Sequence, residues 1–413
     1  MNFFPEKRNG IGLPGLLFGL LLAALLVACG GGSGGAPAPA QAVANEHRVY
    51  VDAGPPGTGY NANRLYTDVT ICQVGNPGNC QTIPHILVDT GSTGLRVLSS
   101  LLNPGLGLSK VSAPGGFPLL SCVRFVDNSF AWGPVAEADI RLGSKAASRV
   151  RIQLIADPGY TGLSSNCAMG SDITDASTLG ANGILGIGLF REDCGALCVS
   201  NASNSFYFTC SNLFCLGIPP GTTVPLASQI KNPISTFASD NNGVVIDLPS
   251  VGSLPAREVS GKMIFGIGTQ GNNQPVLSRV LAANSVGHNT TVFEGRSLNR
   301  SFIDSGSNGL FFDSSVLPVC AGSGSSGFYC PSGFLTLGAT LTGRNFVSIP
   351  VDFNVDNALN SFVGANPVLP NLAGTLGDAR SFDWGLPFFL GRKVYFGIEG
   401  MASVAGTGPF YSF

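Results

Sequence analysis

A seven-residue segment occurs twice in this chain, first as Asp89-Thr90-Gly91-Ser92-Thr93-Gly94-Leu95 and again as Asp304-Ser305-Gly306-Ser307-Asn308-Gly309-Leu310. Each copy follows an apolar run, which is Ile86-Leu87-Val88 in the first case and Phe302-Ile303 in the second. A carboxylate buried at the end of an apolar strand costs free energy unless it is hydrogen-bonded or paired. Two such carboxylates in matching contexts predict a pair of aspartates that meet and share a proton.

The repeat continues beyond the two aspartate segments. An apolar segment that ends in glycine follows in each half, Gly183-Ile184-Leu185-Gly186 in the first and Phe388-Phe389-Leu390-Gly391 in the second. The alternative for the aspartates is a pair of structural turns, in which each side chain caps its own tight loop. Structural turns do not account for the apolar run before both copies or for the matched hydroxyl residues, and the repeat therefore favours a paired site.

The composition favours a β protein with many turns. Of the 413 residues, 57 are glycine and 27 are proline, and only 11% are charged, against roughly 25% in average soluble domains. Short segments with strand-like alternation recur along the chain, and helical patterning is limited to short stretches such as residues 313–317. The net charge of −2 gives no basic surface for nucleic acid, so we expect no such partner.

The N-terminus is typical of an exported bacterial lipoprotein. Two basic residues precede an apolar stretch, residues 13–28, that runs directly into Cys29. This pattern predicts a signal peptide at residues 1–28, lipidation of Cys29 and a flexible Gly/Ser/Pro tether over residues 29–45. Gly30 follows the cysteine, which by the enterobacterial sorting habit predicts an outer-membrane lipoprotein facing the periplasm or the surface. A single transmembrane anchor is the alternative, although the apolar stretch is short for a span.

Eleven cysteines are consistent with export, because removing Cys29 leaves an even number for disulfides. Short loops predict the pairs Cys72–Cys80, Cys122–Cys167 and Cys320–Cys330. The pairing of the last four cysteines stays open; these are Cys194, Cys198, Cys210 and Cys215. A zinc site is the alternative for these four, but their spacing and the lack of a nearby histidine disfavour it.

Together these motifs resemble the pepsin-like aspartic peptidases. The segment at residues 182–188 is similar to the "DGILGLG" segment of that family, and the resemblance spans roughly residues 60–400. Within the clan, the segment at residues 385–392 fits a bacterial group of predicted lipoproteins of uncharacterised function. The resemblance implies an all-β fold with two lobes, residues 46–241 and 242–413. Each lobe would be a double-ψ β-barrel, and a pseudo-twofold axis would relate the two.

The residue types in the two repeated loops imply distinct roles. Asp89 and Asp304 are expected to be the catalytic pair, which holds one water molecule and shares one proton. Glycines would let backbone amides approach the carboxylates, serines would bond their outer oxygens, and one hydroxyl residue in each loop would bond across to the other. These supporting residues are Thr90, Gly91, Ser92, Ser305, Gly306 and Ser307.

The segment that is expected to cover the cleft departs from the family pattern. Pepsin-like peptidases cover the cleft with a hairpin that carries a tyrosine, and the matching residues here, 122–133, contain none. We expect Phe125, Phe130 and Trp132 to contact the substrate instead. Arg96 replaces the tryptophan that normally supports the hairpin. Three roles are open for it: holding both aspartates ionised, binding an acidic substrate side chain, or extending to the surface, which we favour.

The sequence therefore predicts an aspartic endopeptidase-like lipoprotein that hydrolyses a peptide or protein with a dyad-activated water. We expect a monomer with no metal and no cofactor, attached to the membrane by its lipid anchor. The three histidines, at positions 47, 85 and 288, are isolated, which argues against metallopeptidases and serine hydrolases. The alternative is an inactive peptide- or protein-binding lipoprotein of the same fold, and a surface adhesin is a third hypothesis.

Overall fold

Strands make up most of the regular structure. A computed structural model describes residues 44–113, 115–163, 167–209, 221–322 and 324–413. It is all-β, with 42% strand and 11% helix arranged in barrel-like sheets, which confirms the all-β class predicted from the sequence. The predicted signal peptide, the lipidated Cys29 and the first part of the tether lie outside the described residues.

The described residues form 25 strands. In chain order they are β1 Glu46–Val51, β2 Tyr66–Cys72, β3 Cys80–Asp89, β4 Thr93–Leu98, β5 Ser109–Lys110, β6 Leu119–Arg124, β7 Ser129–Leu142, β8 Lys145–Ile155, β9 Ser171–Asp172, β10 Gly183–Ile187, β11 Tyr207–Thr209, β12 Gly243–Asp247, β13 Val259–Phe265, β14 Val280–Ala282, β15 Asn289–Phe293, β16 Arg296–Ile303, β17 Leu310–Phe312, β18 Leu335–Thr342, β19 Ser348–Val355, β20 Ala373–Gly374, β21 Phe382–Trp384, β22 Lys393–Gly397, β23 Ala402–Ser403, β24 Gly406–Thr407 and β25 Phe410–Ser412. They build a sixteen-stranded sheet, a seven-stranded sheet and a two-stranded ribbon.

Helices in the described part of the chain are short. The α-helices are α1 Ala176–Leu179, α2 Ala196–Ser200 and α3 Ala358–Phe362. The 3-10 helices are Ser99–Leu101, Pro104–Leu106, Ala202–Asn204, Leu226–Ser228, Pro233–Thr236, Gly271–Asn273, Leu277–Arg279 and Leu386–Phe389. No described helix has both the length and the apolar character needed to cross a membrane.

The helix predicted at residues 313–317 is wrong, because the chain is irregular there. The Ser314 hydroxyl accepts hydrogen bonds from the amides of Val316 and Leu317, at 3.2 and 3.3 Å. A side chain that binds nearby amides in this way competes with the backbone hydrogen bonds of a helix.

One strand joins the two halves of the molecule, which we define as residues 46–241 and 242–413. Strand β1 lies between β2 of the first half and β13 of the second, and it pairs antiparallel with β13 over six residues. The sixteen-stranded sheet is therefore continuous across the predicted lobe boundary. Its order is β11-β6-β7-β8-β4-β10-β3-β2-β1-β13-β12-β22-β25-β14, with β5 and β9 paired to β7.

The same three-strand unit occurs once in each half. In the first half, β10 lies parallel to β3 and antiparallel to β4. In the second half, β21 lies parallel to β16 and antiparallel to β17. Strands β4 and β10 are buried at every residue, as expected for strands that are covered on both faces. Each unit delivers one of the two repeated aspartates, at the end of β3 and just after β16.

The second of these units differs from the prediction. The strand beside Asp304 is β21 followed by Gly385, and the amide of Asp304 donates to the carbonyl of Trp384 at 3.1 Å. Residues 388–391, which the repeat matches to the segment at residues 183–186, instead span the end of a 3-10 helix and the turn after it. Pro387 stands in the first turn of that helix, where its missing amide and fixed φ are tolerated. Asp383 interrupts the apolar pattern of β21 and so hid the strand.

The disulfides of the described residues settle most of the cysteine pairing. The three predicted pairs, Cys72–Cys80, Cys122–Cys167 and Cys320–Cys330, are confirmed. Cys194 pairs with Cys198, which resolves half of the cluster whose pairing the sequence left open. Cys210 and Cys215 lie outside the described residues.

Candidate active site

The two repeated aspartates meet at one backbone amide. The amide of Gly91 lies 2.8 Å from Oδ1 of Asp89 and 2.9 Å from Oδ1 of Asp304, and the amide of Gly306 donates to Asp304 Oδ1 at 2.8 Å. A Cβ atom at Gly91 would lie 2.7 Å from the Asp304 carboxyl carbon, and one at Gly306 would lie 2.7 Å from Asp89 Oδ1. Only glycine therefore permits this approach at either position.

Two serines hold the outer oxygens of the pair. The hydroxyl of Ser92 donates to Asp89 Oδ2 at 2.5 Å, and that of Ser307 donates to Asp304 Oδ2 at 2.9 Å. Hydrogen bonds to an ionised carboxylate are shorter and stronger than those between neutral groups. The outer oxygens are thereby fixed in matching ways, and the Oδ1 atoms are left beside each other.

Hydroxyl groups tie the two loops together beneath the carboxylates. The amide of Ser305 donates to Thr90 Oγ1 at 2.8 Å, and the amide of Thr90 donates to Ser305 Oγ at 3.2 Å. The two hydroxyls then donate to carbonyls of the opposite half, Ser305 to Val88 at 2.7 Å and Thr90 to Ile303 at 3.5 Å. Because all four bonds are buried, water does not compete with them, and they fix the relative position of the two loops.

The electrostatics of the pair favour one shared proton. Burial raises the pKa of Asp304 well above its usual range, and the nearby charges of Asp89 and Asp383 raise it further. The Asp89 and Asp304 carboxyls are also close enough to form a hydrogen bond when one of them is protonated. Two carboxylates at this separation do not both ionise readily. The arrangement can therefore hold a proton on Asp304 beside an acceptor on Asp89.

Sequence reasoning missed a third carboxyl group beside the pair. Asp383 lies between Phe382 and Trp384 on β21, is only 2% exposed, and stands in register with Phe302 and Phe311 on the flanking strands. Burial raises the pKa of Asp383 to about 8. The signal that was available was a single aspartate within an otherwise apolar strand.

A cavity of about 1150 Å³ opens above the carboxylates and is lined by both halves. Three side chains of each three-strand unit face it in one row across the strands. The first row is Leu87, Ile184 and Arg96, and the second is Phe302, Asp383 and Phe311. The β6–β7 hairpin contributes Val123, Phe125 and Val126 to the same cavity.

The three aromatic residues predicted to contact substrate do not share one face of this hairpin. Phe125 lines the cavity. Phe130 and Trp132 are buried in a separate cluster around the Cys122–Cys167 disulfide, and the Trp132 indole donates to the carbonyl of Tyr160 at 2.9 Å. Side chains alternate between the faces of a strand, so residues 130 and 132 of β7 point together, away from the cavity.

Arg96 does not extend to the surface, and that expectation is wrong. Its side chain is 1% exposed. Its guanidinium binds Asp193 at 3.0 Å and Gln153 at 2.7 Å, and the hydroxyl of Tyr207 donates to the other oxygen of Asp193 at 2.5 Å. A buried arginine requires such partners, because an uncompensated buried charge is very costly. Its charge is thus matched by Asp193, which also lines the cavity.

Comparison with known proteins supplies a family for the chain. No curated protein matches the sequence. Residues 41–413 match a family described as "Protein of unknown function (DUF3443)". Because this match covers all but the N-terminal segment, the chain belongs to the DUF3443 family of proteins of unknown function.

Proposed function

We propose that this protein is an aspartic endopeptidase-like hydrolase with a two-lobed pepsin-like fold, in which Asp89 and Asp304 activate a water molecule. The observation that carries the proposal is the Gly91 amide, which binds both carboxylates at 2.8 and 2.9 Å. The matched three-strand units support a pseudo-twofold relation between the lobes. The cross-loop bonds of Thr90 and Ser305 supply the rigidity that a shared-proton pair requires.

The proposed chemistry uses the two carboxyls as a base and an acid. The Asp89 carboxylate takes a proton from the water, and the water oxygen bonds to the carbonyl carbon of the peptide. Asp304 gives its proton to the carbonyl oxygen, which produces a neutral gem-diol. When the C–N bond breaks, Asp89 returns a proton to the leaving nitrogen, and one hydroxyl of the gem-diol returns a proton to Asp304. The pair is then ready for another water.

The cavity supports an extended peptide as substrate. It is lined from both halves, the β6–β7 hairpin contributes to its wall, and the lining mixes apolar side chains with five aspartates and three arginines. A binding cleft with mostly apolar walls and a few convergent polar groups is typical of a ligand site. The disulfides and the predicted lipidation of Cys29 support export of the protein, and we propose that it acts as a monomeric outer-membrane lipoprotein facing the periplasm or the surface.

A second candidate function is peptide binding without turnover. The hairpin contains no tyrosine, and Phe125, which lines the cavity, is the residue nearest the position at which the resemblance implies one. This replacement removes a hydroxyl from the cavity and favours the alternative of an inactive binding lipoprotein.

Hydrolysis of a peptide library by the full-length protein in detergent, from about pH 3 to pH 7, tests the proposal. We expect Asp89→Asn and Asp304→Asn to lower kcat/KM by about a hundredfold to ten thousandfold, because each removes one proton-transfer group. Asp378→Asn, at a partly exposed position that does not line the cavity, is the matched control and should leave hydrolysis unchanged. Equal background cleavage by wild type and dyad variants would overturn the peptidase function. Retention of peptides without cleavage would support the binding alternative.

A further inference from the structure

Asp383 is a buried carboxyl group whose hydrogen bonding is incomplete. Its Oδ1 atom is fully buried and has no hydrogen-bond partner among the described residues, while the side chain lines the cavity. An unsatisfied buried polar group costs about 1–3 kcal/mol, and more for a charged one. A cost of this kind at the wall of a cavity indicates that a donor arrives from outside the chain.

The strand places Asp383 toward the cavity and not toward the core. Its neighbours Phe382 and Trp384 are stacked at 4.1 Å between ring centroids in the aromatic core of the second half. Because strand residues alternate between faces, Asp383 points the opposite way, beside Phe302 and Phe311. A donor that reaches it must therefore pass along two aromatic rings next to the Asp89–Asp304 pair.

The ionisable groups next to Asp383 are acidic, and with a pKa of about 8 Asp383 itself is mostly protonated at pH 7. Asp89 and Asp304 are its acidic neighbours, and the Ser307 hydroxyl lies close enough to lower its pKa. Among the described residues, no basic side chain forms an ion pair with it. Arg96, a buried cation in the cavity wall, is held by Asp193. A cationic ligand would therefore meet carboxyl groups that have no basic partner, and its charge would favour their ionised form.

We propose that Asp383 determines specificity, by binding the basic side chain of a lysine or arginine that flanks the scissile bond. The inference rests on the proposed function, since it assigns a substrate class to that same cavity. The ammonium or guanidinium group would donate to Oδ1 of Asp383, and the rings of Phe302 and Phe311 would pack against the aliphatic stem. A charge-assisted bond of this kind is stronger than a neutral one.

An organic cation fits this site better than a metal ion. Nowhere in the described residues do three acidic, cysteine or histidine side chains converge closely enough to coordinate one ion. A divalent cation needs several such oxygen ligands. A lysine or arginine side chain needs one carboxylate and an apolar wall, which is what the second row provides.

Binding of two non-cleavable peptides to the full-length protein tests the inference. Both carry a hydroxyethylene group in place of the scissile bond, and they differ only in a flanking lysine or its uncharged isostere norleucine. At pH 7 we expect wild type to bind the lysine peptide about tenfold or more tightly. The Asp383→Asn and Asp383→Ile variants should bind both peptides about equally. Ile is the residue that the first row carries at the matching position, and Asp378→Asn serves as the control.

The outcomes separate this inference from the proposed function. Equal affinity of wild type for the two peptides would overturn the specificity role and leave the peptidase function standing. Failure of wild type to bind either peptide, together with no cleavage of the library, would overturn both. A lysine preference that persists in both folded Asp383 variants would also overturn the inference. The wild-type comparison needs no variant, so misfolding of a variant cannot hide the answer.

Discussion

The two halves of this protein build their aspartate loops alike and their cavity walls differently. Each wall row carries one charged residue among apolar ones, which is Arg96 in the first half and Asp383 in the second. Arg96 has Asp193 and Gln153 as partners, whereas Oδ1 of Asp383 has none among the described residues. In the proposed peptidase, the loops would supply chemistry that a two-fold repeat can provide. The cavity walls would supply recognition, for which the two sides of a peptide bond make different demands.

The largest effect on stability is expected when the ion pair between Arg96 and Asp193, in the cavity wall of the first half, is removed. Asp193→Ala leaves Arg96 buried without a counter-charge and should lower the free energy of unfolding by about 3–5 kcal/mol. The matched control is the double variant Arg96→Met, Asp193→Leu, which removes both charges and should recover most of that loss. Urea unfolding at pH 7 measures both. If Asp193→Ala left the free energy of unfolding unchanged, Arg96 would not depend on Asp193 as its buried counter-charge. The contrast with Asp383 would then fail.

If the two aspartate loops are equivalent, matched substitutions in them should cost equal amounts of stability. Thr90→Val leaves the buried amide of Ser305 without an acceptor and should cost about 1–3 kcal/mol of stability. Ser305→Ala leaves the amide of Thr90 and the carbonyl of Val88 unsatisfied in the same way and should cost a similar amount. Thermal unfolding and kcat/KM measured on both variants test the equivalence. A much larger loss for one of the two would show that the loops are not interchangeable.

Asp383, in the cavity wall of the second half, is expected to make the free energy of unfolding fall as pH rises. The pKa of Asp383 in the folded protein is about 8, against 3.8 for an ordinary aspartate, so the folded state binds this proton more tightly than the unfolded state. Its stabilising contribution is complete below the ordinary value and is lost as pH rises through about 8. Asp383→Asn cannot ionise. Its Tm should exceed that of wild type by about 2–4 °C at pH 8 and differ little at pH 4.

Thermal melts of both proteins from about pH 4 to pH 9 measure this difference. Asp304, whose pKa is also raised by burial, leaves a residual slope in the variant. A Tm difference that does not change with pH would contradict the assignment of the slope to Asp383.

The smallest effect concerns the alkaline limb of the activity profile. Asp383 raises the pKa of Asp304 through its charge, so Asp383→Asn should lower that pKa. Activity that needs a proton on Asp304 is then lost at a lower pH, and the alkaline limb of kcat/KM moves toward acid. An uncharged peptide is the substrate for this measurement, so that lost recognition of a cation does not contribute. A limb that stays in place would show that Asp383 is electrostatically separate from the pair.

Local sequence was enough to predict the all-β class, the two aspartate loops and three disulfides. The loop residues act within a few positions of each aspartate, so their spacing is visible in the chain. The partner strand of Asp304 was misassigned because Asp383 breaks the apolar pattern while Phe388 and Phe389 imitate it. Asp383, the residue that breaks this pattern, is also the one that gives the cavity wall of the second half an acidic group.

Arg96 could not be placed from sequence, because its counter-charge lies on a distant segment. Asp193 is brought to Arg96 only when β4 and β10 pair. No residue near position 96 in the sequence indicates that partner. The placement of Phe130 and Trp132 was more accessible. Both lie on β7, two residues apart, and side chains two residues apart on a strand point to the same face. Which face meets the cavity depends on the tertiary packing around the Cys122–Cys167 disulfide.

The strand that joins the two halves has a consequence for how the chain folds. Strand β1 is among the first segments to be synthesised, yet its main partner is β13, and the Asn45 side chain donates to the carbonyl of Phe265 across 220 residues. Contacts so distant in sequence close late and make folding slow. Until β13 is available, β1 presents an open edge to other chains. Assembly of this protein is therefore expected to be post-translational and to benefit from a chaperone that covers β1 in the meantime.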